Sequence, residues 1–351
     1  MKKTRISFKL GVFIILGFNS CMESIDKQET NSEITSTMEE TDYKSIHSDK
    51  ITIGFYNVEN LFDIYNNPET SDDEFTPYGD KKWDEIRYQK KLEDISKVIT
   101  DFDGGKGPAF LGLAEIENFE VVKDLIKTGA LKNSPYKVIH RENNDSRGID
   151  VGAIYRSDIF EKLEYHYYTI PKIHTRDILH VEGQIYGQET IHYFVVHCPS
   201  RRKGTQETEY KRIQVAEILR SKIDLLLAKN PNERIILMGD FNDEPSNESV
   251  HKYVMEGDFY NLFRRFEGKS TGTVNHRGDW LVFDQIIVSK PLLDDKTYNL
   301  TKKSGFIYDD ESVTFTYYDG NKVPRRTYGG DEYHGGTSDH YAVYLKMTIK
   351  H

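Results

Sequence analysis

Short apolar runs and amphipathic helical patterns alternate along most of this chain, and polar residues stand at the ends of the apolar runs. Ile51, Ile53 and Phe55 alternate with Thr52 and Gly54, which predicts a strand. Apolar residues at helical spacing predict helices at residues 88–99 and 207–229. Strands interleaved with helices indicate an α/β fold rather than an all-β fold. Further apolar runs of strand length occupy residues 109–114, 151–155, 191–196, 234–238, 282–288 and 341–347.

Composition excludes several classes of protein. The chain has 351 residues, enough for one large domain or two ordinary ones, and 12% of them are aromatic, which argues against a mostly disordered protein. The formal net charge is −10, which argues against a generic polyanion binder but leaves room for an enzyme that meets phosphate through a metal ion. Two cysteines, Cys21 and Cys198, exclude a disulfide scaffold and a Cys-rich zinc site.

The beginning of the chain reads as an export signal. Lys2, Lys3 and Arg5 precede an apolar run at 10–18 that is far shorter than the ~20 residues needed to span a bilayer. The run leads to Cys21 in a sequence that resembles a bacterial lipoprotein signal, in which this cysteine carries the lipid. The alternative is a plain secretory signal with a chance cysteine.

The domain organisation follows from that signal. We expect a lipoprotein-type signal peptide at 1–21, a flexible polar tether at 22–49 and one domain at 50–351. The expected location is the cell envelope, at the outer membrane or the cell surface, and otherwise the protein is secreted. We expect a monomer.

Polar side chains at the ends of the predicted strands are candidates for a site, because ligands bind at strand ends in open α/β sheets. Several carboxylates at one edge repel each other unless a cation lies between them, since buried charges are costly when unpaired. Asp, Glu and Asn oxygens suit Mg²⁺, Ca²⁺ or Mn²⁺. The candidates are Asn57, Glu59, Glu115, His197, Asp240, Asn242, Asp284, Asp339 and His340.

Six segments in order along the chain resemble the endonuclease/exonuclease/phosphatase superfamily, which includes pancreatic-type DNase, abasic-site endonucleases, bacterial sphingomyelinases and inositol polyphosphate 5-phosphatases. The resemblance implies a four-layer α/β sandwich of two packed mixed β-sheets flanked by helices. It also implies metal-assisted hydrolysis of a phosphate ester. The segments are Phe55–Asn60, Leu113–Glu117, Val195–Ser200, Met238–Asn242, Phe283–Ile286 and Thr337–Tyr341.

The resemblance assigns metal ligands. Glu115 is the principal ligand, and Asn57 beside it binds metal or phosphate. Glu59 occupies a position where some members have a metal-binding Asp, and Asp339 is a further ligand. The implied ion is Mg²⁺, with Mn²⁺ or Ca²⁺ as alternatives.

The resemblance also assigns catalytic roles. Asp240 orients or deprotonates the attacking water, and Asn242 donates its amide to a phosphate oxygen. His340 touches the scissile phosphate while Asp284 holds its far ring nitrogen, which favours the charged imidazole.

Three further residues complete the implied site. His197 is a second histidine that faces the phosphate, and Asp150 is the carboxylate expected to support it. Arg147 is a candidate phosphate binder. The alternatives are a histidine that only packs and an arginine that is only solvated.

Basic clusters near the site suggest a polynucleotide substrate. Arg201, Arg202 and Lys203 follow His197 closely, and Arg325–Arg326 precedes Asp339. We expect no exposed apolar or aromatic loop of the kind that enters a membrane. The sequence therefore predicts hydrolysis of DNA by a surface or secreted nuclease. Sphingomyelin, inositol phosphate or another small phosphoester as substrate, and a non-catalytic surface-binding lipoprotein, remain alternatives.

Overall fold

The computed structural model describes residues 50–349. The predicted signal peptide, the lipid-bearing Cys21 and the polar tether lie outside these residues. No helix between residues 50 and 349 has the length and apolar character needed to cross a bilayer.

Each apolar run predicted from the sequence forms a strand, with ends that shift by a few residues, and the structure adds strands that no such run marks. The first eight strands are β1 (Lys50–Leu61), β2 (Phe110–Ile116), β3 (Tyr136–His140), β4 (Asp150–Arg156), β5 (Phe160–Tyr168), β6 (Ile178–Ile185), β7 (Ile191–His197) and β8 (Ile235–Asp240). The strands that follow are β9 (Phe259–Asn261), β10 (Val274–His276), β11 (Asp279–Leu281), β12 (Asp284–Ser289), β13 (Tyr298–Asn299), β14 (Gly305–Tyr308), β15 (Thr314–Thr316), β16 (Lys322–Pro324), β17 (Tyr328–Gly329), β18 (Glu332–Tyr333) and β19 (Ala342–Ile349).

The helices that begin at Glu85 and Phe119 each have a side-chain cap. Asp84 accepts a hydrogen bond from the backbone N–H of Arg87 (3.0 Å), and Asn118 accepts one from that of Val121 (3.0 Å). Such caps satisfy N–H groups that a helix start leaves without partners. The α-helices are α1 (Glu85–Asp101), α2 (Phe119–Ile126), α3 (Thr205–Lys229) and α4 (Lys290–Leu293), with shorter helical turns at Asp73–Phe75, Ser249–Val254, Arg264–Phe266 and Glu311–Val313.

Two mixed sheets form the centre of the fold. The first sheet has the order β13-β19-β1-β2-β4-β3, with β14 also paired to β19. The second sheet has the order β5-β6-β7-β8-β12-β9. Each contains one parallel pair, β1 with β2 and β7 with β8, while the neighbouring pairs are antiparallel. In each parallel pair, both strands end at the same edge of the sheet.

The two sheets pack face to face. Phe110 and Val151 of the first sheet share a buried cluster with Tyr193 and Met238 of the second. Gly112 permits this approach, because a Cβ there would lie 3.0 Å from the Val195 methyls. Helices α1 and α2 cover the outer face of the first sheet, and α3 covers that of the second. This layering confirms the predicted sandwich of two mixed sheets between helices.

Two loops are defined by their aromatic side chains. The insertion between Tyr65 and Trp83 is anchored by buried Phe75 and Trp83, and the Trp83 indole N–H donates to the carbonyl of Phe62. The expectation that no aromatic loop is exposed is wrong. The hairpin of β15 and β16 exposes three aromatic side chains, Phe315, Tyr317 and Tyr318.

Candidate active site

The polar residues at the strand ends of the two sheets meet at one edge of the sandwich. In the second sheet, His197 pairs with Asp240 and Asp240 pairs with Asp284 in the strand register. In the first sheet, Asn57 lies at the point where the β1–β2 register is interrupted. The Asn57 side-chain amide donates to Asp240 Oδ2 (3.1 Å), a hydrogen bond that joins the two sheets.

The backbone is distorted where the first sheet ends. Glu59, Asn60 and Glu115 have φ angles of 48°, 53° and 61°, a region of backbone conformation that residues other than glycine seldom occupy. The distortion lets the Asn60 N–H donate to Glu115 Oε2 (3.0 Å). Backbone strain of this kind often marks a functional site, because the surrounding structure must hold it in place.

Acidic and basic side chains interleave beside this distortion. Arg326 Nη2 donates to Asp339 Oδ2 (2.7 Å), and Arg326 Nε lies 3.8 Å from Glu59 Oε1. Glu59 Oε2 accepts from the Thr327 N–H (2.6 Å), and the Lys91 ammonium donates to the Glu59 carbonyl. Burial and the charge of Asp339 raise the pKa of Glu59 to about 7, although Lys91 opposes them. The Glu59 and Asp339 carboxylates thus share the Arg326 guanidinium as a neighbouring cation.

The two histidines have opposite electrostatic environments. Burial and the positive charges of Arg176, Arg147 and His340 lower the pKa of His197 well below its ordinary value, so His197 is neutral. Its Nε2 lies 3.5 Å from Asp240 Oδ2. A neutral imidazole offers one lone pair and one N–H.

His340 is the charged partner of this pair. Burial alone would lower the pKa of His340, but the carboxylates of Asp284, Asp240 and Asp339 outweigh it and raise that pKa well above its ordinary value. His340 Nδ1 hydrogen-bonds to Asp284 Oδ2 (2.8 Å), the pairing predicted for these two residues. An imidazolium with one N–H held by a carboxylate points its other N–H in a fixed direction.

Asp240 has a carboxylate suited to exchanging a proton near neutral pH. Burial raises its pKa to about 7, and the charges of Asp284 and Glu115 contribute to this rise, while His340 and the backbone N–H of Asn242 oppose it. A general base works best when its pKa lies near the working pH.

Asn242 holds the Asp240 carboxylate in place. Its side-chain amide donates to the carbonyl of Cys198 (3.0 Å) and to Asp240 Oδ2 (3.1 Å), which uses both of its hydrogens. Its backbone N–H donates to Asp240 Oδ1 (2.9 Å). The donation to a phosphate oxygen stays a prediction, and it would require one of the side-chain hydrogens to change partner.

Asp150 supports a different histidine from the one predicted. Asp150 Oδ2 lies 2.8 Å from His140 Nε2, because β3 and β4 pair side by side. His197 Nδ1 is buried and has no hydrogen-bond partner among residues 50–349. The predicted Asp150–His197 pair is therefore wrong.

The basic residues differ in their availability to a substrate. Arg147 Nη2 lies 4.0 Å from Glu115 Oε1, and 41% of the Arg147 side chain is exposed. Arg202 and Lys203 are also exposed. Arg201, predicted to bind substrate, instead donates to Asp243 Oδ1 (2.5 Å) and to the Asn242 carbonyl (2.7 Å). That prediction is corrected, because the Arg201 guanidinium closes a loop of the protein itself.

The oxygen donors of the first sheet suit a divalent metal ion. Glu115 and Asp339 keep part of their side chains accessible. Asn57 and Glu59 are buried on β1, which lies between β2, the strand of Glu115, and β19, the strand that follows Asp339. Burial is the main cause of the raised pKa of Glu59, and a cation would offset the charge of Asp339, which adds to it. Carboxylate and amide oxygens are the ligands of hard cations such as Mg²⁺, Mn²⁺ and Ca²⁺. The residues present therefore fit the ion.

A second cluster at the same edge combines two carboxylates with an imidazole. Asp240, Asp284 and His340 have ligand atoms within 4.8 Å of one another. His340 already engages Asp284 through Nδ1, which leaves Nε2 as its only other ring nitrogen. The cluster is therefore a second candidate group for a metal ion, beside the first-sheet oxygens.

Sequence reasoning missed three supporting residues. Lys91 shares the buried face of α1 with Tyr88 and Leu92, and a lone charge on an apolar helix face is a signal that could have found it. Ser338 donates to the Asn57 carbonyl (2.7 Å) from within one of the recognised segments. Arg176, which donates to the Cys198 carbonyl (2.7 Å), carries no such signal, because its position depends on the loop before β6.

Comparisons with known proteins agree with this geometry. A sequence model described as the Endonuclease/Exonuclease/phosphatase family matches residues 52–349. No curated protein sequence matches the chain.

Solved structures share the fold. A humanized D. rerio TDP2 aligns with a TM-score of 0.55 and 16% identity, covering 86% of this chain and 100% of that one. A mannosyl-6-phosphatase of Bacteroides thetaiotaomicron aligns with a TM-score of 0.56 and 17% identity, covering 85% of this chain and 100% of that one. D. rerio TDP2 complexed with a single-strand DNA product aligns with a TM-score of 0.55 and 16% identity, covering 86% of this chain and 99% of that one.

Proposed function

The chain belongs to the endonuclease/exonuclease/phosphatase family of phosphoesterases, and on that basis we propose that it hydrolyses phosphodiester bonds in DNA with a divalent metal ion. The observation that carries the proposal is the position of two histidines beside Asp240, next to the first-sheet oxygens: Nε2 of His197 and Nε2 of His340 lie 3.5 Å and 3.9 Å from Asp240 Oδ2.

The residues divide the chemistry between them. Glu115, Glu59, Asn57 and Asp339 hold the metal ion, which offsets negative charge on the phosphoryl and leaving oxygens when bound. Asp240 accepts a proton from the attacking water as the new P–O bond forms and the scissile one breaks. Asn57 and Asn242 hold the Asp240 carboxylate in position.

The histidines bind the phosphate in this proposal. His340 directs its free N–H to a phosphoryl oxygen, since its other ring nitrogen is held by Asp284. His197 offers a neutral ring on the opposite side of Asp240, and Arg147 adds a half-exposed charge next to Glu115. Charged donors to phosphate form strong hydrogen bonds.

The rim of the site supports a polynucleotide substrate. Arg326 contacts Asp339 at the site, and the exposed Arg325 precedes it at the base of the β15–β16 hairpin. A cleft of about 700 Å³ lies between this hairpin and the stacked rings of Trp280 and Tyr341. Cations and exposed aromatic rings together bind single-stranded nucleic acid, since bases stack on the rings and phosphates pair with the cations.

The test measures turnover of purified protein, with and without EDTA, on single-stranded DNA, duplex DNA, RNA, sphingomyelin vesicles, inositol phosphates and sugar phosphates. We expect EDTA-sensitive cleavage of DNA above all other substrates. A chain that binds these substrates without EDTA-sensitive turnover would be the non-catalytic binder instead.

Variants test the role of the cations. Arg202→Ala combined with Lys203→Ala should raise KM for long DNA several-fold. It should also reduce the slope of the log binding constant against log salt concentration by up to ~0.9 per lost phosphate contact. The matched control is Lys302→Ala combined with Lys303→Ala. These two lysines precede Ser304, whose carbonyl accepts from the Lys346 N–H, several residues along β19 from His340. Turnover of a small chromogenic diester should stay unchanged in both. Equal DNA cleavage by both double variants would contradict a role for these cations.

Sphingomyelin is the second candidate, because Phe315, Tyr317 and Tyr318 form an exposed aromatic hairpin that could enter a lipid surface. Tyr318→Ala separates the candidates. It should weaken binding of single-stranded DNA if the ring stacks on bases, and binding of sphingomyelin vesicles if it enters lipid.

We also propose a lipid anchor on Cys21 that holds the monomeric enzyme at the cell envelope. Cys21→Ser cannot be lipidated by this route and should release the protein from the membrane fraction. Retention of the variant in salt-washed membranes would contradict the anchor, and wild-type activity of the released variant is the control for folding.

A further inference from the structure

A cluster of histidine and glutamate side chains lies on the second sheet, away from the candidate active site. In the register of β6 and β7, His192 faces Glu182, and His180 lies two residues before Glu182 on the same face. This is the face of the sheet that packs under α3, since Phe194 belongs to the α3 cluster and stacks on His180 with ring centroids 4.2 Å apart. His192 precedes His197 by five strand residues, or about 16 Å.

The donor atoms of this cluster converge on one point. His180 Nε2 and His192 Nδ1 lie 3.0 Å apart, and Glu182 Oε1 lies 3.8 Å from His192 Nδ1. The three ligand atoms are all within 4.8 Å of one another. Ligands of a tetrahedral zinc ion, bound at ~2.1 Å, are separated by about 3.4 Å, so only small side-chain shifts would seat an ion between them.

The outer nitrogen of each imidazole is also held. His180 Nδ1 lies 3.1 Å from the Tyr168 hydroxyl, and His192 Nε2 lies 3.3 Å from Glu233 Oε2. Metal-bound histidines commonly give their other ring N–H to a carboxylate or another acceptor, which fixes the tautomer that binds the metal. Both imidazoles already have such an acceptor.

We propose that His180, His192 and Glu182 form a second metal site, selective for Zn²⁺ and similar transition ions. Two imidazoles and one carboxylate suit Zn²⁺, whereas the oxygen ligands at the candidate active site suit Mg²⁺. Both histidines are buried, but 27% of the Glu182 side chain is exposed, which gives an ion and a water ligand access from solvent.

The site is tested by Zn²⁺ titration of metal-stripped full-length protein in excess Mg²⁺, which occupies the oxygen ligands. We expect one Zn²⁺ per chain, and with Co²⁺ the intense visible absorption of a tetrahedral complex. Glu182→Gln, which preserves shape and is partly exposed, should weaken Zn²⁺ binding at least about tenfold. His180→Gln should abolish the Co²⁺ absorption.

Two further variants define the control and the supporting residues. His251→Gln replaces an exposed histidine of the Ser249–Val254 turn and should bind Zn²⁺ like the wild type. Glu233→Gln should weaken binding by ~10–100-fold, as loss of a carboxylate behind a ligand does elsewhere. Absence of Zn²⁺ binding by the wild type, or equal binding by Glu182→Gln and the wild type, would overturn the proposal. The cluster would then be a hydrogen-bonded histidine pair only.

Discussion

The two sheets bring different chemistry to the edge where they meet. The first sheet ends in oxygen ligands, Glu115 among them, on a backbone with positive φ angles. The second sheet ends in regular register, with His197, Asp240 and Asp284 side by side. Distorted backbone thus carries the residues that crowd negative charge, and regular strands carry those that handle protons. The difference teaches that a sheet end can supply either chemistry, depending on whether its register continues or breaks.

Replacement of Glu115, on the first-sheet side of the site, should lower kcat more than any other change proposed here. Glu115→Ala should lower kcat by ~10²–10³-fold at saturating Mg²⁺, since loss of one electrostatic group at a reacting centre typically has this effect. The Tm should change little, because among residues 50–349 the only side-chain hydrogen bond lost is that from the Asn60 N–H. The control is Glu120→Ala, an exposed residue of α2. Retention of more than about a tenth of wild-type activity would contradict the assignment.

Asp284→Asn, which changes the second-sheet side of the site, should lower kcat by about 10²-fold. The Asp284 carboxylate helps to raise the pKa of His340, so its neutralisation lowers that pKa. A histidine that must stay protonated loses its proton as pH rises, and the alkaline loss of activity should therefore begin at lower pH in the variant. The pH profile of kcat measures this shift. Asp258→Asn, at an exposed carboxylate, should keep the wild-type profile, and an unshifted limb in Asp284→Asn would exclude His340 as the titrating group.

Arg201→Ala should lower the stability of the fold rather than impair catalysis. Arg201 and Arg212 both pair with the buried Asp243, and loss of one partner should destabilise the fold by about 1–3 kcal/mol. Arg202→Ala, at the exposed neighbour, should stay within about 0.5 kcal/mol of the wild type. Chemical denaturation measures both. Equal stability of the two variants would show that the Arg201 contacts contribute nothing.

The α/β class and the strand-end residues could be predicted from sequence, because apolar periodicity locates strands and strand ends collect polar ligands. The sandwich of two sheets was implied by the resemblance of six segments to a known family. The pairing Asp284–His340 was also predicted and is present. These features depend on local pattern and on the order of segments along the chain.

Partner choice across loops could not be predicted. Asp150 pairs with His140 because β3 and β4 are neighbours, and no pattern in the sequence marks that register. Arg201 reads as a surface cation until Asp243 is brought to it from the loop after β8. The zinc-type cluster was missed for the same reason, since His180 and His192 meet only through the antiparallel pairing of β6 and β7.

The central position of β19 has a consequence for synthesis of the protein. β1 leaves the ribosome early, yet its antiparallel neighbour is β19, with Ile53 opposite Leu345. At ~5–20 residues per second, this pairing must wait on the order of 15–60 s after β1 is made. During that time one edge of β1 has no strand partner, and Asp339 and His340, which precede β19, are still missing from the site. The proposed site is thus incomplete until nearly all of the domain has been translated.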